Sequence, residues 1–328
     1  MRTLQQAWPE TRFTWVIGRL EARLFKGIED IEFIVFDKGR GFSAYLDLRR
    51  AMRGRRFDLL LHMQLALRAS VASALIPARI KLGFDRARAR ELQWLFTNAR
   101  IRPAENQHVL DSLFGFAERV GVHDKRLRWD IPVGGDDLDH AEHVIPDGQQ
   151  TLVISPCSSH VARNWRPEYY ARVADHAVGM LGIEVLLCGG PSPIERQMGD
   201  AILARMQQPC TDLIGKDTLP ALLATLARAT VVITPDSGPA HMATAVGTPV
   251  IGLYAATNPA RSGPYLSRPW CVDRYDAAAR KFLGKPSTEI AWTTKIEEPG
   301  VMDLIQPEDV IKKLHAVLSQ QARRTRRG

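Results

Sequence analysis

Short apolar runs alternate with amphipathic stretches along most of this chain. FTWVI (Phe13–Ile17), EFIVF (residues 32–36) and DLLLH (58–62) have the length and apolar content of buried strands, and RIKLGF (79–84) is a weaker fourth. Between them, residues 44–53 and 67–75 space their apolar positions as helices do. Strand, helix, strand in this order predicts a parallel sheet covered on both faces. The rhythm stops over residues 131–150, IPVGGDDLDHAEHVIPDGQQ, whose Gly, Pro and Asp content reads as a linker holding at most a short helix. It restarts with TLVIS (151–155), EVLLC (184–188), TVVIT (230–234) and PVIGLY (249–254), separated by helical stretches at 167–181, 193–206, 219–228 and 239–246. Residues 307–318 close the chain as an amphipathic helix with Val310, Ile311, Leu314 and Leu318 on one face. The expected organisation is two α/β domains, 1–135 and 151–328, joined by 136–150.

Composition narrows the class. Of 328 residues 45% are apolar and 24% charged, as in soluble globular proteins and unlike disordered chains. No apolar run approaches the roughly 18 residues that span a bilayer, and MRTLQQAWPE is not expected to be a secretory signal because no apolar stretch follows its Arg. Cys157, Cys188, Cys210 and Cys271 form no CxxC pair, so a zinc ribbon or thioredoxin-type motif is not expected, and they read as free thiols of a reducing compartment. Net charge is +8, and residues 38–102 hold 15 Lys/Arg against 4 Asp/Glu. Arg323, Arg324, Arg326 and Arg327 add a basic end. Such a surface attracts nucleic acid, anionic lipid or phosphorylated substrates. No nucleic-acid module is recognisable, so nucleic acid is not the expected partner.

Candidate chemistry sits at two strand-to-helix turns of the second half, where parallel sheets usually bind ligands. In TPDSGPAHMATAVGTP (234–249), Asp236 closes a strand, Ser237 and Gly238 make the turn and Pro239 starts a helix, with His241 in its first turn. Free amides and the helix dipole favour an anion such as a diphosphate there. The same residues also read as a capped helix with a structural His. In SPCSSHVARNWRPEYY (155–170), Ser158, Ser159, Arg163, Asn164 and Arg166 offer hydroxyls, an amide and guanidinium forks suited to phosphate oxygens, or make a polar surface loop. Gly189-Gly190 lacks the GxGxxG spacing. His140 and His143 lie among acids, which a solvated linker explains without a metal. No DxD pair ends a strand, so the usual metal-bridged way of holding a sugar nucleotide has no evident ligands. In the first half, Arg79, Lys81, Arg86, Arg88, Arg90, Arg100 and Arg102 surround the apolar LQWLF (92–96). That suits an amphiphilic phosphorylated partner, or a solvated basic segment whose Trp94 and Phe96 pack inward.

These runs resemble a family. DSGPAHMATAVGTPVIGLYAATNP (236–259) is similar to the signature of the family 9 glycosyltransferases, the ADP-heptose:lipopolysaccharide heptosyltransferases, and SSHVARNWRPEY (158–169) matches their upstream loop. GKDTL (215–219) resembles the stretch beside the adenine and brings in Lys216, and KLGFDRARARELQWLF resembles the acceptor-side region. The likeness covers nearly the whole chain. It implies a GT-B architecture of two Rossmann-like doubly wound domains facing a cleft, the first receiving a lipid A–Kdo type acceptor and the second ADP-heptose, with the closing helix returning to the first. It further implies inverting heptose transfer to the lipopolysaccharide inner core, without cofactor or obligatory metal. Asp236 would contact the heptose, and Ser158, Ser159, Arg163, Gly238 and His241 the diphosphate. Asn164, Lys216 and Ser237 complete the donor-side candidates, with Arg163 and Asp236 as the catalytic ones. Lys81, Arg86, Arg88 and Arg90 are the acceptor-side candidates. The implied setting is cytoplasmic, at the inner face of the inner membrane. The nucleotide-sugar 2-epimerases share the two-domain plan but match the Ser-Ser loop and DSGPAH less well.

One departure stands out. Family members open with an apolar strand and a Gly-Asp loop that carries the general-base Asp, whereas MRTLQQAWPE corresponds to the helix beyond it. The first domain is therefore expected to lack that strand and to close the gap imperfectly. An ADP-sugar-binding protein without turnover is the alternative.

Overall fold

The computed structural model describes residues 1–325, with side chains to Arg323, so Arg324, Arg326 and Arg327 of the basic end lie outside the described side chains. The chain divides into two compact units, the first ending at Pro132 and the second beginning at Val133. Both are α/β with parallel strands, as the alternating pattern predicts.

In the first unit the order is α1 (Arg2–Ala7), β1 (Phe13–Ile17), α2 (Arg19–Leu24), β2 (Ile31–Val35), α3 (Phe42–Ala51), β3 (Phe57–Leu61), α4 (Leu67–Ala74), β4 (Ala78–Gly83), β5 (Ala99–Arg100) and α5 (Val109–Arg119). The strands form two sheets, β1-β2 and β3-β4-β5, so β1 and β3 each pair on one side only. Apolar clusters join the two sheets on both faces. Leu48, Met52, Ala72 and Ile76 pack with Val16 and Ile34 of one sheet and Phe57 and Leu60 of the other. Leu4, Ala117 and Val122 pack with Phe13 and Leu61. Successive strand residues point to opposite faces, so Val16 and Phe13, like Leu60 and Leu61, serve opposite sides. The two sheets are thus one layer interrupted between β1 and β3.

The second unit runs α6 (Gly135–Val144), β6 (Thr151–Ile154), α7 (Pro167–Leu181), β7 (Glu184–Leu187), α8 (Pro193–Leu203), β8 (Thr211–Asp212), α9 (Leu219–Arg228), β9 (Val231–Pro235), α10 (Gly238–Ala245), β10 (Val250–Tyr254), α11 (Pro259–Ser262), β11 (Val272–Asp273), α12 (Tyr275–Ala278) and α13 (Pro307–Thr325). Its six strands are ordered β11-β10-β9-β6-β7-β8, all parallel. β6, β9 and β10 are buried at every position, and Leu152, Ile154, Val231, Ile233, Ile251 and Leu253 line a core that includes Trp165 and Tyr170. The stretch 136–150, expected as a linker, carries most of α6, which packs on α9. The closing helix α13 packs on α7.

Local chemistry sets several boundaries. Pro starts α7, α8, α9 and α10 within the first turn, where no amide donor is needed. Gly182 ends α7 in the left-handed region at φ 64°, which costs a glycine little. Gly189-Gly190 serves the fold: Gly190 N donates to Glu195 Oε1 (2.8 Å), while Ser192 Oγ donates to Glu195 Oε2 (2.7 Å) and caps α8. The protein's own carboxylate fills that turn.

Candidate active site

Strand order places the site. From β6 the chain moves outward through β7 to β8, then returns to lay β9 on the other side of β6. The order reverses between β6 and β9, and loops leaving neighbouring strands in opposite directions open a crevice at such a point. Both turns singled out in the sequence leave these two strands.

They are tied together. Ser158 Oγ donates to the Asp236 carbonyl (3.0 Å), and Ser158 N donates to Asn164 Oδ1 (2.7 Å). Residues 161–163 form one 3-10 turn, anchored behind by buried Trp165, whose Nε1 donates to the Ile305 carbonyl (3.0 Å). Arg163 is thereby held almost buried, with Nη1 3.5 Å from Asp236 Oδ2 and Nη2 donating to Glu297 Oε1 at 3.0 Å. Ser262 Oγ lies 3.5 Å from the same Asp236 oxygen. Ser159 stands exposed beside them.

Ser237 precedes α10 but does not cap it, because its hydroxyl is bonded to Thr234 Oγ1 at 2.8 Å. Among the described residues no side chain caps the first amides of α10, so the partial positive end of this helix is left open. A side chain at Gly238 would meet nothing within 4 Å, so there is room above the turn. His241 keeps exposed area, yet desolvation lowers its pKa against the opposing pull of Asp236. Tyr254, ending β10, has a buried hydroxyl with no hydrogen-bond partner among the described residues, and burial raises its pKa.

The structure thus brings Ser158, Arg163, Asn164, Asp236 and Ser237 together, with Ser159, Gly238 and His241 at the same edge. Lys216 follows β8, two strands from β6, and its ammonium donates to the Asp212 carbonyl (2.6 Å). Next to it, Asp217 is bonded to His140 Nε2 (2.9 Å), and burial raises its pKa. That pairing gives His140 its partner. Glu297 and Tyr254 were not legible in advance. Glu297 lies 134 residues from Arg163, in a loop whose sequence carries no motif.

The acceptor-side candidates lie in the first unit. Lys81 Nζ donates to the Ser73 carbonyl (2.8 Å), and burial lowers its pKa. Arg88 pairs with Asp85 and donates to Gln107 Oε1 (2.8 Å) and the Arg102 carbonyl (2.7 Å). Arg86 stacks over exposed Trp94 at 5.6 Å. Lys81 and Arg88 are engaged in holding the fold. Asp37, at the end of EFIVF, accepts from Gly39 N (3.0 Å) and lies 3.5 Å from Arg19 Nη1. His62, ending DLLLH, is buried against Ser70 Oγ at 3.1 Å, and its pKa falls to about 4, mainly through desolvation. The thiols are free; burial pushes Cys157 up to about 12.

Comparison with known proteins bears on this site. Residues 45–292 match the family model of glycosyltransferase family 9 (heptosyltransferase). The chain is 40% identical to the lipopolysaccharide core heptosyltransferase OpsX of Haemophilus influenzae, over 95% of this chain and 89% of that protein. The crystal structure of a family 9 glycosyl transferase from Veillonella parvula superposes with a TM-score of 0.80 at 23% identity, covering 97% of this chain and 92% of the other. Escherichia coli heptosyltransferase WaaC with ADP gives 0.65 at 21%, covering 83% and 86%. The two structural likenesses show a shared fold.

Proposed function

The chain belongs to glycosyltransferase family 9, the heptosyltransferases, and from that premise we propose that it transfers heptose from ADP-heptose to the inner core of lipopolysaccharide, with inversion. The observation that carries this reading is the meeting of Arg163, Asp236 and the uncapped start of α10 at the strand-order reversal. In this reading the diphosphate lies over Gly238, where the α10 amides donate to its oxygens. Arg163 and the hydroxyls of Ser158 and Ser159 flank it, and His241 donates from the first turn of α10. Asp236 accepts from the heptose hydroxyls. As the glycosidic bond to ADP breaks, negative charge grows on the leaving diphosphate. Preorganised amides and a guanidinium held in a partly buried site stabilise that charge without reorganising. Protein donors then supply the positive field, and no obligatory metal is invoked. Lys216 and the turn after β8 are read as the nucleoside side of the donor site.

The acceptor is read as a Kdo–lipid A type molecule or a core heptose, received by the basic first unit at the inner face of the membrane. Among the described residues no helix is long and apolar enough to cross a membrane, so the proposed contact is peripheral.

A second reading, ADP-sugar binding without transfer, draws on one observation. The acceptor hydroxyl needs a base, and Asp37, the carboxylate following β2, is engaged by Gly39 N and Arg19. Calorimetry with ADP and a heptose-transfer assay separate the two. Transfer with ADP binding lost on Arg163→Ala supports the enzyme. ADP binding with no transfer supports the second reading, and ADP binding indifferent to Arg163→Ala removes the donor site from this crevice.

A further inference from the structure

Arg163 stands between two carboxylates. One guanidinium and two acids give the cluster a net charge of −1 where the proposed donor brings a diphosphate. The two acids are not equivalent. The Asp236 side chain is 13% exposed, fixed at the end of a buried strand and approached by Ser262 Oγ. The Glu297 side chain is 38% exposed and sits in a loop; its other close neighbour among these groups is the His160 ring, with Nδ1 4.0 Å away. Arg163 itself is 10% exposed, and its Nε is buried with no hydrogen-bond partner among the described residues. A cation this enclosed needs a counter-charge when the site is empty. Of the three groups, only Glu297 has solvent to move into.

We propose that Glu297 is a displaceable counter-ion: its carboxylate holds Nη2 of Arg163 until the diphosphate of a nucleoside diphosphate takes its place. The inference rests on the donor-site reading above. Glu297 is a positioning residue that keeps the guanidinium aimed at the crevice in the empty protein. It also competes with phosphate for the same N–H, weakening nucleotide binding and assisting departure of the product.

The test is calorimetric titration of the full chain with ADP. Glu297→Gln keeps the side chain's length and an acceptor oxygen but removes the charge. Removing one like charge a few ångströms from a phosphate is worth about tenfold, so ADP binds Glu297→Gln about tenfold more tightly than the unaltered protein. Glu297→Asp retains the charge and binds close to the unaltered protein. Where transfer is measurable, KM for the donor falls in Glu297→Gln and kcat does not rise. Unchanged or weaker ADP binding by Glu297→Gln, with Arg163→Ala still weakening it, overturns the counter-ion role and leaves the donor site standing. Equal tightening by Glu297→Asp also overturns it, since charge is then not the cause. An indifferent Arg163→Ala overturns the donor-site reading and this inference with it.

Discussion

His62 illustrates how one buried side chain couples stability to pH. Its folded pKa is about 4, below the ordinary imidazole value near 6.5, because the ring is desolvated at the end of β3 and faces Ser70 Oγ, with Lys81 adding a smaller like-charge push. Between these values the unfolded chain binds the proton and the folded one does not. Stability from this group is therefore complete above pH 6.5 and falls as pH drops toward 4, reaching a loss of about 2 kcal/mol at pH 5. The denaturation midpoint is expected to fall between pH 7 and 5 in the unaltered protein, and less in His62→Asn. Equal falls would show that other groups carry the dependence. Legibility at this scale followed sequence proximity. Ser158, Asn164, Asp236 and Ser237 were readable because each sits in a short polar turn that follows an apolar strand, and Ser158–Asn164 and Thr234–Ser237 bond within their own turns. Glu297 was not, since only folding brings its loop to Arg163.

The longer elements were legible because a buried parallel strand needs an unbroken apolar run and a covering helix a periodic one; β1, β6, β9 and β10 fall where the pattern puts them. β5, β8 and β11 have two residues each, too few to show any period, and exist because a neighbouring strand offers an edge. The acidic stretch 136–150, read as a linker with at most a short helix, shows only part of its role in sequence. Its polar residues suit a solvated segment, but Ala141 and Ile145 are buried and seat α6 on α9. The interruption between β1 and β3 also has a measurable consequence. These strands pair on one side only, whereas β6 and β9 pair on both. Native-state hydrogen exchange is expected to be faster for amides of β1 and β3 than for those of β6 and β9. Equal protection would show that the break costs the first unit nothing.

For the whole molecule, the uneven charge gains meaning from where apolar side chains remain exposed. On α3, Phe42 and Leu46 share a stripe with Arg49, opposite buried Ala44 and Leu48. Phe42 is 76% exposed. The neighbouring α4 adds exposed Leu67 and Val71, and Tyr45 Oη donates to the Arg68 carbonyl (3.4 Å) between the helices. Apolar side chains flanked by arginines suit the interface of an anionic bilayer, where each cation near the surface contributes about 1 kcal/mol. Sedimentation with vesicles rich in phosphatidylglycerol is therefore expected, to be weakened by Phe42→Ser with Leu46→Ser and by high salt. Equal binding by that double variant would assign the contact elsewhere.

Glu195 bears on how any anion meets the second unit. Its carboxylate sits in the turn after β7, while two strands away the turn after β9 presents bare amide dipoles. On the donor-site reading proposed above, a phosphate chain arriving along this rim would be pushed off at one station and drawn in at the other. The sense in which it lay down would then be set by the sheet before any sugar was recognised.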